Sequence, residues 1–306
     1  MSTQITTSFI QGFKQGIDIL TQQKGSKLQN TVRNEMQNSK QDHYDQIGAT
    51  AVVQRTSRHG DTPIVNTPHS RRNVTLNDYE WADLIDRQDR LRLLNDPGNA
   101  YSMNAAMAMG RKKDELILAA VTGTATTGET GSGSTTISDI TAVNGNTSHA
   151  ELTIENLLQA RTILNLEDDS DEEATVVCSA YQIAQLLADS KISSADYNTV
   201  RALAAGQIDT FMGFKFVQVA SSILPMQSGT AGATGSGDIR IIPVYKKSGL
   251  LLSTGVGESG SNARITERAD KSYSTQIYYS ASYGATRMEE AKVTVIYVGD
   301  DNPVLS

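Results

Sequence analysis

Residues Gly255, Val256, Gly257, Glu258, Ser259 and Gly260 reproduce the GxGxxG spacing of a phosphate-cradling loop and come directly after the apolar run LLLST. A dinucleotide loop must open a helix whose amides meet the pyrophosphate. The next residues, SNARITERADKSYSTQIYYS, read as loop and strand, so the context speaks against that chemistry. The acidic run Glu167, Asp168, Asp169, Ser170, Asp171, Glu172, Glu173 offers oxygens to a hard cation such as calcium. It lacks the spacing and glycine of an EF-hand, and a solvated turn is the better reading. His43, His59, His69 and His149 all stand in polar, turn-like surroundings without an HExxH pair or cysteine neighbours, so a zinc site finds no ligand set. His59 and His69 could sense pH at a subunit contact, because imidazole titrates near neutrality. Cys178, within ATVVCSAY, reads as a buried strand thiol, and no GxSxG elbow marks a nucleophilic serine. No catalytic residue, cofactor or metal is assigned.

The scaffold around these residues is long enough for one large or two ordinary domains: 306 residues, 38% hydrophobic. Aromatic residues make up only 6%, and Gly- and Thr-rich stretches are long, which predicts extended loops and modest cores that gain stability from neighbouring subunits. A formal net charge of −7 disfavours a broad nucleic-acid grip while leaving room for local basic patches. A single cysteine excludes an internal disulfide. The first residues, MSTQITTSFIQGFKQG, lack the character of a signal peptide, and no apolar segment is long enough to span a membrane, so synthesis and folding in a cytoplasm are expected.

The best-bounded element lies between Arg71 and Gly123. Asp96 suits a helix cap, Pro97 the first helical position and Gly123 a left-handed stop. Between them Met103, Met107, Gly110, Ile117 and Val121 recur near helical spacing, interrupted by Arg111, Lys112, Lys113, Asp114 and Glu115, so the helix needs partners on several sides. Upstream, Phe9, Phe13, Ile17 and Leu20 share one helical face, and Leu28, Val32 and Met36 resume it after Gly25. Thr50–Thr56 and Thr62–Thr67 read as the strands of a charged hairpin around Ser57–Asp61, with Pro63 and Pro68 placing it at an edge. Downstream, a helix from Thr153 to Leu164, the strand ATVVCSA, a helix from Tyr181 to Ala188 and strands near Phe214 and Ile241 form an α/β region. A final strand puts Ile277, Tyr279 and Ala281 on one face, with Tyr278, Ser280 and Ser282 on the other.

This order, carried by Asp61–Gly123, by GQIDTFMGFKFVQVASSILP, and by YKKSGLLLSTGVGESG with QIYYSASYGATRMEEAKVTVI, resembles the major capsid proteins of tailed bacteriophages. The resemblance implies an α+β, HK97-like fold. Its N-terminal arm would be residues 1–47 and its extended E-loop 48–76. The peripheral domain would cover 77–150 with a spine helix over 97–122, the axial domain 151–260, and 261–306 would return to the peripheral sheet. It implies a shell of hexamers and pentamers around packaged double-stranded DNA, with scaffolding protein, portal and a decoration protein as partners. By this reading Arg55, Arg58, Asp61, Arg71 and Arg72 on the hairpin, and Phe9, Phe13 and Ile17 on the arm, contact neighbouring subunits. Some relatives cross-link an E-loop lysine to a neighbour's asparagine, but here no lysine lies between Lys40 and Lys112, so a non-covalent shell is expected. The alternatives are a soluble α/β enzyme with Gly-rich lids and an encapsulin-like cellular compartment.

Overall fold

The computed structural model describes residues 22–86, 98–144, 151–166, 172–188, 210–227, 239–255 and 264–299. After a 3-10 turn at Gln29–Thr31 come β1 (Arg33–Gln37) and β2 (Gln41–Ile47), then an exposed loop and β3 (His69–Thr75) and β4 (Asn77–Ile85). The long helix α1 (Gly98–Thr122) leads to β5 (Ala125–Thr127), β6 (Gly133–Thr135) and β7 (Ala142–Val143). Next come α2 (Ile154–Leu164), β8 (Ala174–Cys178), α3 (Ala180–Ala188), β9 (Thr210–Phe211) and β10 (Phe214–Gln218). The chain ends in β11 (Ile239–Lys246), β12 (Leu250–Gly255), β13 (Arg264–Arg268), β14 (Ser274–Arg287) and β15 (Val293–Gly299).

Two mixed sheets organise these elements. One is a five-stranded sheet ordered β1-β12-β14-β13, with β4 also paired to β14. The other is six-stranded, ordered β7-β15-β11-β8-β10-β9. Helix α1 joins their cores. Its 25 residues reach about 37 Å. Ala105 and Met109 pack on Tyr279, Ala281 and Tyr283 of β14, whereas Ile117, Leu118 and Val121 enter the larger core with the apolar faces of α2, α3 and the six-stranded sheet. A helix with two different partners cannot show one clean apolar stripe, which accounts for its interrupted pattern. Burying each of Ile117, Leu118 and Val121 contributes roughly 1.5–3 kcal/mol.

Several expectations hold. Thr153 caps α2 by accepting from the amide of Asn156, the two downstream helices and strand β8 fall where the sequence put them, and Ile277, Tyr279 and Ala281 are buried. Others need correction. The pattern Leu28–Val32–Met36 is not helical: Leu28 and Val32 are buried, but Met36 is 63% exposed on β1, which pairs in parallel with β12. Tertiary ladder bonds outweigh a weak local helical pattern. The hairpin ladder is also displaced. It joins β2 to β3, from Gln41↔Thr75 to Ile47↔His69, whereas Thr50–Thr56 and Thr62–Thr67 are extended without pairing. Those segments carry Pro63 and have no sheet beneath them. Gly123 closes α1 through its amide to Ala119 O at 2.8 Å yet keeps a negative φ. Asp96 and Pro97 lie outside the described residues.

Domain limits drawn along the chain do not coincide with the sheets. Leu250–Gly255 pairs with β14 in the five-stranded sheet, while Val293–Gly299 crosses over to pair with β11 in the six-stranded one.

Candidate functional site

The most distinctive surface is the loop carried by the β2–β3 ribbon. Gly48 N donates to Pro68 O at 2.9 Å and closes the ladder, and a side chain at Gly48 would meet Pro68 Cγ at 2.8 Å. From Gly48 to Pro68 every residue is exposed, Val52 by 99% and Ile64 by 91%. At the tip His59 has φ 62°, and Arg55 Nε donates to Ser57 O at 2.9 Å. Val52, Val53, Ile64 and Val65 are thus large apolar side chains held out in water on an otherwise polar loop, an exposure that another surface would relieve.

The ribbon's base is fastened by a buried ionic cluster. Arg72 on β3 donates from Nε to Met288 O at 2.9 Å, from Nη1 to Thr126 O at 2.9 Å and Thr135 Oγ1 at 3.1 Å, and from Nη2 to Glu290 Oε2 at 2.5 Å. Arg287, fully buried at the end of β14, donates from Nη1 to the carbonyls of Val121 at 2.7 Å and Gly123 at 3.0 Å, and from Nε to Glu290 Oε1 at 3.3 Å. Its cation meets the last carbonyls of α1, where the helix dipole is negative, and so does the capping work expected of Gly123. Thr135 completes the group by donating to Glu290 Oε1 at 2.7 Å. Burial pushes the Glu290 carboxyl up, but the Thr135 hydroxyl and the Arg72 guanidinium override it and hold it below the usual range. Burial pulls the Arg287 guanidinium down, and Glu290 partly restores it. One carboxylate thus ties ribbon, β5–β6 hairpin and helix end together.

A fully buried carboxylate fastens the N-terminal segment. Asp114 of α1 is fully buried and accepts from Ser26 Oγ at 2.5 Å, Lys27 N at 3.0 Å, Leu28 N at 3.1 Å and the Gln23 amide. One turn earlier, Gly110 lets the backbone touch: a Cβ there would lie 2.5 Å from Gly25 C. Gln22 reaches Asn104, and Arg111 and Lys113 hold Gln22 and Gln29 at 2.7 and 3.1 Å.

The residues expected at subunit contacts therefore separate. Arg55, Arg58 and Asp61 are exposed on the loop. Arg71 is ion-paired within the ribbon to Asp45 at 2.6 Å, which holds the Asp45 carboxyl below its ordinary range. Arg72 is buried inside its own chain and cannot be a surface cation. Phe9, Phe13 and Ile17 lie outside the described residues. Arg287, Glu290 and Asp114 were not anticipated. RMEE and KKDE look like ordinary surface charge runs, and the partners lie far away in sequence.

Burial pushes the Cys178 thiol up to about 12, so it is not a nucleophile at neutral pH. Gly257 and Gly260 of the GxGxxG stretch lie outside the described residues, and the next described element is the strand β13. Glu172 accepts from Ser248 N at 2.7 Å and Oγ at 2.5 Å, and 167–171 lie outside the described residues, as does His149. His43 meets the Asn73 side chain across the ribbon, and His69 is exposed. Among the described residues no three His, Cys, Asp or Glu side chains gather as metal ligands, and no helix is long and apolar enough to cross a membrane.

A ribbon with an exposed loop, an N-terminal segment held on α1 and a helix bridging two sheets are the distinctive parts of this fold. The family model for phage capsid proteins matches residues 5–298, and the chain belongs to that family. It is a major capsid protein, a structural component of the virion, with an HK97-like α+β fold. No curated sequence matches it. Among solved structures, Mycobacterium phage Che8 is similar over 94% of this chain and 97% of its own, at 17% identity and TM-score 0.67. The capsid of cyanophage P-SCSP1u matches over 97% and 95%, at 15% identity and TM-score 0.71. The acid-stable capsid of Helicobacter pylori bacteriophage KHP30 matches over 98% of both, at 11% identity and TM-score 0.69.

Proposed function

We propose that many copies of this chain assemble as hexamers and pentamers into an icosahedral shell enclosing double-stranded DNA. The observation that carries this reading is the wholly exposed loop Gly48–Pro68 on a ribbon fixed by Arg72 and Glu290. A rigid base carrying a loop with exposed Val52 and Ile64 on its flanks and a polar tip is an arm built to lie on a neighbour, and Arg55, Arg58 and Asp61 supply the polar contacts there. Arm residues Phe9, Phe13 and Ile17 make further contacts between subunits. In this reading α1 is the spine helix, the five-stranded sheet the peripheral domain and the six-stranded sheet the axial domain that closes the ring. Assembly takes place in the host bacterial cytoplasm, with scaffolding protein, portal and decoration protein as partners. DNA is held without sequence preference.

Negative-stain electron microscopy of the purified chain, alone and with its cognate scaffold, tests this. Closed shells or rings are expected; monomers that persist with the scaffold would overturn it.

A further inference from the structure

Up to Arg33 the chain carries Lys14, Lys24, Lys27 and Arg33 against the single acid Asp18, a net +3 within a chain of net −7. The fold adds to this excess. Residues 22–29 lie along α1, with Gln22 at Asn104 and Arg111, Gly25 at Gly110, and Gln29 at Lys113. Lys24 and Lys27 are exposed, and Arg111 and Lys113, both part-buried, bond the segment from α1.

What neutralises these four cations decides what they can do. Arg111 and Lys113 bond the neutral side chains of Gln22 and Gln29, Lys27 Nζ donates to the carbonyl of Gln218 at 2.8 Å, and among the described residues Lys24 has no ion pair. Asp114, the carboxylate at their centre, is buried and committed to Ser26, Gln23 and two backbone amides. The adjoining cations Lys112 and Arg33, by contrast, are already paired with Glu115 and Glu35, at 2.7 and 2.8 Å. Among the described residues these four cations have no carboxylate partner, and they gather where the segment 24–29 crosses Gly110–Lys113, Lys24 and Lys27 exposed and Lys113 half-buried over the Tyr283 ring at 5.0 Å.

We infer that this arm–helix strip is a contact face for the phosphate backbone of duplex DNA, which places it on the inside of the shell. The inference rests on the capsid reading and gives the packaged DNA a local partner on an otherwise acidic protein. The contact is electrostatic and independent of base sequence, so it is released readily by salt.

The test uses fluorescence anisotropy of a labelled duplex with the dispersed full-length protein over a range of salt, comparing wild type with K24Q/K27Q. A second variant, R264Q/K271Q, removes two exposed cations from the β13–β14 region. K24Q/K27Q is expected to weaken binding about tenfold or more and to flatten the log affinity against log salt slope by about 1.8, while R264Q/K271Q leaves both unchanged. Equal losses in the two variants, or none in K24Q/K27Q, would overturn the assignment. Tighter binding of a poly-glutamate peptide than of the duplex at the same salt would also overturn it, in favour of an acidic protein partner. Shell formation by each variant is scored separately by electron microscopy, so a failed DNA contact and a failed capsid reading leave different traces.

Discussion

Replacing Glu290 with Gln would leave the guanidinium groups of Arg72 and Arg287 buried together without the carboxylate that both bond. Removing one member of a buried charge cluster costs about 3–5 kcal/mol, so E290Q is expected to lower the melting temperature by several degrees or more. The pH dependence has a definite sign. The folded carboxyl lies below its ordinary range, so its contribution is complete above the unfolded carboxylate range and is lost as pH falls through the folded value. Thermal melts between neutral pH and about pH 3 should show wild type losing an increment of stability that E290Q lacks. Equal acid sensitivity of the two proteins would count against the cluster. Asp114→Asn should act in a different place, because an amide nitrogen would face donors that now share a carboxylate. Each amide left without an acceptor costs about 1–3 kcal/mol, and hydrogen exchange should rise over residues 23–28 while the β2–β3 ribbon keeps its protection. None of these roles was legible beforehand. A charged residue in RMEE or KKDE gives no local sign that its partner comes from an element far along the chain.

Among the elements, α1 carries the sharpest test. Alanine is the better helix former by about 1 kcal/mol, so Gly110→Ala would stabilise an isolated helix. In the fold its Cβ would fall 2.5 Å from backbone atoms of Gly25, and backbone cannot turn aside as a flexible side chain can. G110A is therefore expected to destabilise the protein and detach the arm segment, seen as raised proteolysis before Leu28. A higher melting temperature with the arm still protected would refute the close packing. The helix itself was readable from its span, and α2, β8 and α3 from periodicity and from the Thr153 cap. The ribbon was readable in kind and not in register. Gln41–Ile47 is so polar that nothing in it announces a strand, whereas the Val-rich flanks of Ser57 do, although no sheet lies under them. β1 was hidden for a related reason, since its pairing with β12 joins residues from opposite ends of the chain.

At the scale of the whole molecule, the ribbon and its loop contain no lysine, since none lies between Lys40 and Lys112. Without an amine there, the loop cannot supply the lysine of an isopeptide bond to a neighbour, and mature particles boiled in SDS are expected to run as one band near 33 kDa. A ladder of multiples would disprove a shell held by non-covalent contacts. Cys178 has a consequence of another kind. The chain's single thiol is fully buried in β8, and its raised pKa keeps it protonated, so it is inert toward maleimides while the protein stays folded. A cysteine placed at Ser57, on the exposed tip, would then be the one reactive sulfur per subunit. Every particle could carry dyes or gold at chosen, countable points, with no native cysteine to remove first.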